Sequence, residues 1–218
     1  LALLAAGAGT ACAQAYPNKP IRIVTASAGG GADFDARLVA QGIAAPLGQP
    51  VIVDNRAAGV LATEIVAKAP PDGYTLLVTG TSLWTTPLLR KAPYEVERDF
   101  APLSLIEWAI NVVAVNPSLA ARSIKELVAL AKAKPGELNY SSSAVGGAAH
   151  LATELFKHMA GINIVHVPYK GNPPALAAVM SGETQLYIAS VGVVAPQLKS
   201  GKLSALAVTS AEPSLLLP

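Results

Sequence analysis

Two glycine-rich runs carry the residues best suited to chemistry: Ser27, Ala28, Gly29, Gly30, Gly31 and Asp33 in the first, and Ser141, Ser142, Ser143, Ala144, Gly146 and Gly147 in the second. Each run follows a β-rich segment and precedes a helical pattern. A helix N-terminus exposes unpaired N–H groups and a partial positive charge. Glycines just before it let a ligand reach the backbone, and an anion gains most from that arrangement. One helix end contributes roughly 0.3–1 kcal/mol, or about 2 in a buried site. Charge-assisted hydrogen bonds add roughly 1.5–3 kcal/mol each, and micromolar affinity needs about 8 kcal/mol. One exposed loop falls short of that sum, whereas two loops facing each other across a cleft reach it.

The neighbouring residues sort by the same logic. Asp33 beside a bound anion would repel it, so its expected role is to cap the helix and fix the loop. His150, just inside the second helix, either donates to a ligand oxygen or packs locally. Thr81, in the polar turn before Trp84, could read the distal end of a ligand. The three histidines match no zinc spacing, and a metal site is not expected. Neither run is a nucleotide fingerprint, because G-x-G-x-x-G and G-x-x-x-x-G-K-[ST] are both missing. A hydrolase pairing one of Ser141, Ser142 or Ser143 with His150 is an alternative, but there is no G-x-S-x-G elbow. A third reading is an adhesin or scaffold that binds no small ligand.

The elements that must position these loops alternate along the chain. Ile21 to Thr25 is a β-rich run, and a helical pattern with Leu38, Val39, Ile43 and Leu47 on one side follows, with Gly48 as C-cap. Val51 to Val53 then gives a β-α-β unit with a parallel pair. A helix over 59–69, strands at 74–78, 103–106 and 111–115, and a Ser123–Glu126 capping box opening a helix come next. A strand at 138–141 enters the second glycine run, and a helix over about 148–160 follows. Strand, helix, strand, helix and strand are expected at 162–167, 173–181, 184–189, 193–199 and 203–209. Such alternation specifies α/β architecture with parallel sheets covered by helices.

The bulk numbers agree. Of 218 residues, 52% are hydrophobic and 14% charged, ample for sizeable cores. A net charge of +2 without a basic cluster gives no support for nucleic-acid binding. The apolar run at 1–8 followed by Ala13-Gln14-Ala15 reads as the remnant of a secretory signal peptide, with a mature start near Tyr16. Cys12 lies inside that remnant, so the mature chain would have no disulfide.

Ordered motifs over nearly the whole mature chain resemble the Bug/TctC receptors of tripartite tricarboxylate transporters. They include Tyr16-Pro17-Asn18-Lys19-Pro20-Ile21, Gly29-Gly30-Gly31-Ala32-Asp33, Gly48-Gln49-Pro50-Val51-Ile52-Val53-Asp54-Asn55-Arg56 and Pro71-Asp72-Gly73-Tyr74. Further on stand His150-Leu151-Ala152-Thr153-Glu154-Leu155-Phe156 and His166-Val167-Pro168-Tyr169-Lys170-Gly171. The resemblance implies a periplasmic, two-lobed Venus-flytrap receptor of the type II periplasmic-binding-protein kind. It implies a ligand carboxylate held between the loops at 27–33 and 141–147. It further implies membrane transporter subunits as partners and a small organic carboxylate as ligand: a di- or tricarboxylate, an acidic amino acid or an aromatic acid. No cofactor is expected, and the receptor is expected to be a monomer.

This sequence departs from the family pattern in three places. Ala144 stands where glycine is common, Gly147 where serine is common, and Ala189 about where many relatives have an acidic residue. The expected organisation is a signal remnant at 1–15, a first lobe at 16–113, a second lobe at 114–206 and a return crossover at 207–218. The remainder of the first lobe is expected to be missing.

Overall fold

The computed structural model describes residues 16–56 and 59–212. The expected signal remnant and the last part of the expected return crossover lie outside those residues. Two sheets organise the rest. The first has β1 (Ile21–Thr25) at its centre, flanked by β2 (Val51–Asn55) and β3 (Thr75–Leu77), all parallel. Ile21, Ile23, Val24 and Thr25 are buried, as expected for a central parallel strand covered on both faces.

Helix α1 (Gly31–Leu47) packs on this sheet with Ala36 and Ala40 inward, against Ile23 and Val78. Of the residues expected on one side, Val39 packs against this core, whereas Leu38 is exposed. Small alanines let the helix approach the sheet closely, and this overrides the bulk-based reading of its faces. Gly48 ends α1 in the left-handed conformation (φ +62°), the C-cap expected from its position. Helix α2 (Gly59–Ala67) leads to β3, and α3 (Ser82–Leu89) and the single turn α4 (Val96–Asp99) follow. The strand expected at 103–106 does not form; residues 101–109 are exposed and carry no secondary structure. The composition suits a strand, but no partner ladder among the described residues takes it up.

The second sheet has the order β6-β5-β7-β4-β8, built from β4 (Asn111–Val115), β5 (Asn139–Ser142), β6 (Val165–Pro168), β7 (Leu186–Ser190) and β8 (Ser204–Val208). Strand β5 runs parallel to β6 and β7, whereas β4 runs antiparallel to β7 and β8. The sheet is therefore mixed, not parallel throughout as expected. Hydrophobic composition is the same for either direction, so the sequence pattern carries no strand polarity.

Both faces of this sheet are covered, and the side-chain alternation shows it. Val113, Val115, Leu186 and Ile188 enter one core with Leu127 and Ala131 of α5 (Ile124–Ala133). Val112, Ala114, Tyr187 and Ala189 enter the other, with Ala175 and Val179 of α7 (Asn172–Ser181) and Val194 of α8 (Val191–Lys199). Helix α6 (Ala148–Ala160) follows β5. The Ser123 cap forms: its Oγ accepts from the Glu126 amide at 3.2 Å, and the Glu126 carboxylate reaches back to the Arg122 amide at 2.7 Å.

Candidate functional site

The first glycine run is held open by a fixed network at the end of β1. Gly30 is the N-cap of α1, and no side chain caps it, so the first amides of the helix keep no intrahelical acceptor. Asp33 is buried and turned back onto the loop. Its carboxylate accepts from the Gly29 amide at 2.9 Å, from Asn55 Nδ2 at 2.8 Å and from Arg37 Nε at 3.0 Å. Asn55 Nδ2 also donates to the Ala26 carbonyl at 2.9 Å. Burial pushes the Asp33 carboxyl up, but the Gly29 amide, Arg37 and Asn55 outweigh it and hold it below the usual carboxylate range. Asp33 thus fixes the loop and leaves the α1 amides for a ligand.

Those amides face a cavity of about 520 Å³ between the two sheets. Gly29, Gly30 and Gly31 form part of its wall, with Asp33, Phe34, Asp35 and Arg37 from α1. The opposite wall comes from the starts of α7 and α8, through Asn172, Pro173, Ser190 and Val191. Glu107, Trp108, Ala109 and Ile110 close one side. The approach at the glycines is close. A Cβ on Gly30 would lie 3.2 Å from Asn172 Nδ2, and one on Gly29 3.3 Å from Pro173 Cγ. Gly171, at φ +113°, faces the Ser27 hydroxyl, which lies 2.9 Å from where its Cβ would stand. Neither that backbone conformation nor that gap accommodates another residue.

The electrostatics of the cavity are uneven. Helices α1, α7 and α8 all begin at it, and their amide ends favour an anion. Away from those ends, Asp35 is pushed up to about 6, first by burial and then by the Glu107 charge. Arg37 is occupied by Asp33 and by Asn55 Oδ1 at 3.1 Å.

The second glycine run is placed elsewhere. It lies against α3 of the first lobe, where Thr85 Oγ1 donates to the Gly146 carbonyl at 2.6 Å. Ser141 is buried, and its Oγ donates to the Ala175 carbonyl at 3.0 Å. Ser143 bonds the Tyr187 hydroxyl, which donates in turn to Asn172 Oδ1 at 2.6 Å. Burial pushes Tyr187 up to about 12, so it remains a donor. Gly147 is the N-cap of α6 and has no side-chain cap. Ala144 Cβ packs near it. His150 accepts the Gly146 amide on Nδ1 at 3.0 Å. Thr81, the N-cap of α3, is exposed. Ala189 is buried in β7, and the cavity is reached by the next residue, Ser190.

The serine–histidine pair that forms is Ser142 with His166, Oγ to Nε2 at 2.6 Å, and not a pair with His150. Ser142 Oγ also lies 3.2 Å from the Ala144 carbonyl, and the imidazole tautomer sets which of Ser142 and His166 donates. Burial, with the His150 charge second, lowers His166 to about 4.

Sequence reasoning thus reached the first loop but missed Asn172, Ser190, Asp35 and Glu107. Gly171-Asn172-Pro173, with proline at a helix start, and a serine ending a strand before a helix were the available signals.

Two α/β lobes with a cavity at helix starts define the class of periplasmic solute-binding folds. The profile of the tripartite tricarboxylate transporter family receptor (TctC) matches residues 35–218, and the chain belongs to that family. It is 39% identical over 212 residues to protein BugT of Bordetella pertussis, covering 94% of this chain and 65% of BugT. Its fold is similar to that of R. palustris Rpa4515 with adipate (TM-score 0.87, 37% identity, 90% of this chain and 68% of that one). It is also similar to MatC (Rpa3494) from Rhodopseudomonas palustris with bound malate (TM-score 0.80, 26% identity, 90% and 69%). The chain thus spans about two thirds of the length of these relatives.

Proposed function

We propose that this protein is an extracytoplasmic receptor that captures a small organic carboxylate in the cavity between its lobes, for a tripartite tricarboxylate-type uptake system. The observation that carries the reading is the uncapped start of α1, Gly30 and Gly31, opening on a cavity of about 520 Å³ whose far wall is two further helix starts. Backbone amides and helix dipoles supply a generic carboxylate clamp. Specificity then falls to the side chains around it, Asn172, Ser190, Asp35 and Glu107. The relatives with bound adipate and malate support a carboxylate as the ligand. The periplasm as its location, a monomeric state and membrane subunits as its partners belong to the same proposal, as do a lobe boundary near residue 113 and a return crossover from 207. A second loop acting at 141–147 would join the clamp on closure by a hinge motion.

A thermal-shift screen against mono-, di- and tricarboxylates, acidic amino acids and their uncharged amides tests the reading. At least one acid should raise the melting temperature with saturation, by mass action, and its amide should not. Equal responses to acid and amide would refute the carboxylate clamp. A serine hydrolase would instead turn over esters, and ester turnover by this chain would favour that alternative.

A further inference from the structure

The cavity between the sheets has one place that suits an anion, and its remaining wall is apolar and acidic. Helices α1, α7 and α8 have Gly30, Gly171 and Ser190 as N-caps, and no side chain caps any of the three. Their starts converge. A Cβ on Gly30 would lie 3.2 Å from Asn172 Nδ2 at the start of α7, and one on Gly31 3.9 Å from Ser190 Oγ at the start of α8. Helix ends this close together favour a single carboxylate between them.

Beyond that point the wall changes character. Phe34, Trp108, Leu176 and Val193 line it, and Phe34 and Trp108 are 63% and 88% exposed. Large apolar side chains left open in a concave site gain from an apolar ligand body laid against them. Asp35 follows Gly31 by four residues, about 6 Å further along α1, and Glu107 lies on the side of the cavity that Trp108 also closes. Burial, then the Glu107 charge, pushes Asp35 up to about 6. Among the described residues that line the cavity, the one cation is Arg37. Its Nε lies 3.0 Å from Asp33 Oδ1 and its Nη2 donates to Asn55 Oδ1 at 3.1 Å, so it is already engaged.

We propose that the ligand is a monocarboxylate with an apolar body, and that Asp35 and Glu107 are specificity-determining residues that reject an acid with a second carboxylate at its far end. This selectivity rests on the carboxylate clamp at the helix starts and names the class of acid the clamp serves. A second carboxylate leaving water for this wall would meet two like charges and no free cation, which costs affinity twice, by desolvation and by repulsion. A methyl group in the same place brings no charge and adds apolar contact with Phe34 and Trp108.

Hexanoate and adipate share six carbons and differ only at the far end, so calorimetric titration of the native chain with each at pH 8 is the test. Asp35 is ionised at that pH. Hexanoate should bind about fivefold or more tighter than adipate. In the Asp35→Asn, Glu107→Gln double variant that preference should narrow about threefold or more, through a gain in adipate affinity. Each comparison is made within one protein, so a change in the folded fraction cancels from the ratio. Phe34→Ala should lower the affinity for hexanoate about threefold or more. A smaller preference in the native chain, the same preference in the double variant, or unchanged hexanoate binding in Phe34→Ala overturns the proposal and leaves the clamp standing. So does an acid of the thermal-shift screen that binds where hexanoate does not. If no acid binds at all, the clamp itself fails and the proposal with it.

Discussion

Replacing Asp33 with alanine removes the group that fixes the first glycine loop, and the structure sets the size of the loss. The Asp33 carboxylate accepts from the Gly29 amide and Asn55 Nδ2 within the loop, and from the exposed Arg37. Hydrogen bonds to a charged acceptor contribute roughly 1.5–3 kcal/mol each, whereas an exposed ion pair contributes about 0.3–0.5 kcal/mol. Water can replace part of what is lost, so a net destabilisation of about 2–4 kcal/mol is expected for the first lobe. With a urea m-value of about 2 kcal/mol/M, the midpoint falls by about 1–2 M. Trp84 fluorescence in a Trp108→Phe background reports this lobe. The linkage has a definite sign. The folded carboxyl is held below its ordinary range, so its stabilisation is present above about pH 4 and lost as pH falls through the folded value. The alanine variant should therefore show a flatter acid limb. Asp33→Asn, which keeps one acceptor oxygen, should fall between the two. A loss below about 0.5 kcal/mol, or an unchanged acid limb, would refute the argument that this carboxylate organises the loop.

Two further outcomes follow from the same contacts. Gly146→Ala places a side chain at φ +78° and against Leu89; a cost of about 1–2 kcal/mol is expected for the left-handed backbone, and denaturation showing no loss would contradict the observed loop conformation. Asp35 sits at about 6 in the folded chain, above its unfolded value, so the native state holds the extra proton and stability falls as pH rises from about 4 to 6. Asp35→Asn should remove that slope and raise the melting temperature more at pH 8 than at pH 4; an equal rise at both would be inconsistent with an Asp35 carboxyl raised by burial.

The sequence made the α/β alternation and the first loop legible because both rest on local chemistry. Gly29 to Gly31 before a helix, Gly48 as a left-handed C-cap and the Ser123–Glu126 box all follow from backbone needs of neighbouring residues. What was not legible depends on residues far apart. The direction of β4 against β7 and β8 leaves no trace in an apolar run. The expected apolar side of α1 is only partly right: Val39 packs on the sheet's core with Ala36 and Ala40, whereas Leu38 is exposed. The strand expected at 103–106 has suitable residues but no partner strand among the described residues. Asn172 and Ser190 face Gly30 and Gly31 across about 140–160 residues of chain, a separation at which spacing carries no information.

The account rests on a carboxylate bound against the start of α1, and a calorimetric titration of the native chain and Gly30→Val with the best acid from the screen tests this directly. A Cβ at Gly30 points at Asn172 Nδ2, 3.2 Å away, in the space between the two walls. Single-site binding to the native chain, weakened about thirtyfold or more in Gly30→Val at an unchanged melting temperature, is the predicted result, equivalent to about 2 kcal/mol. Equal affinity in the two proteins would place the ligand elsewhere and contradict the account.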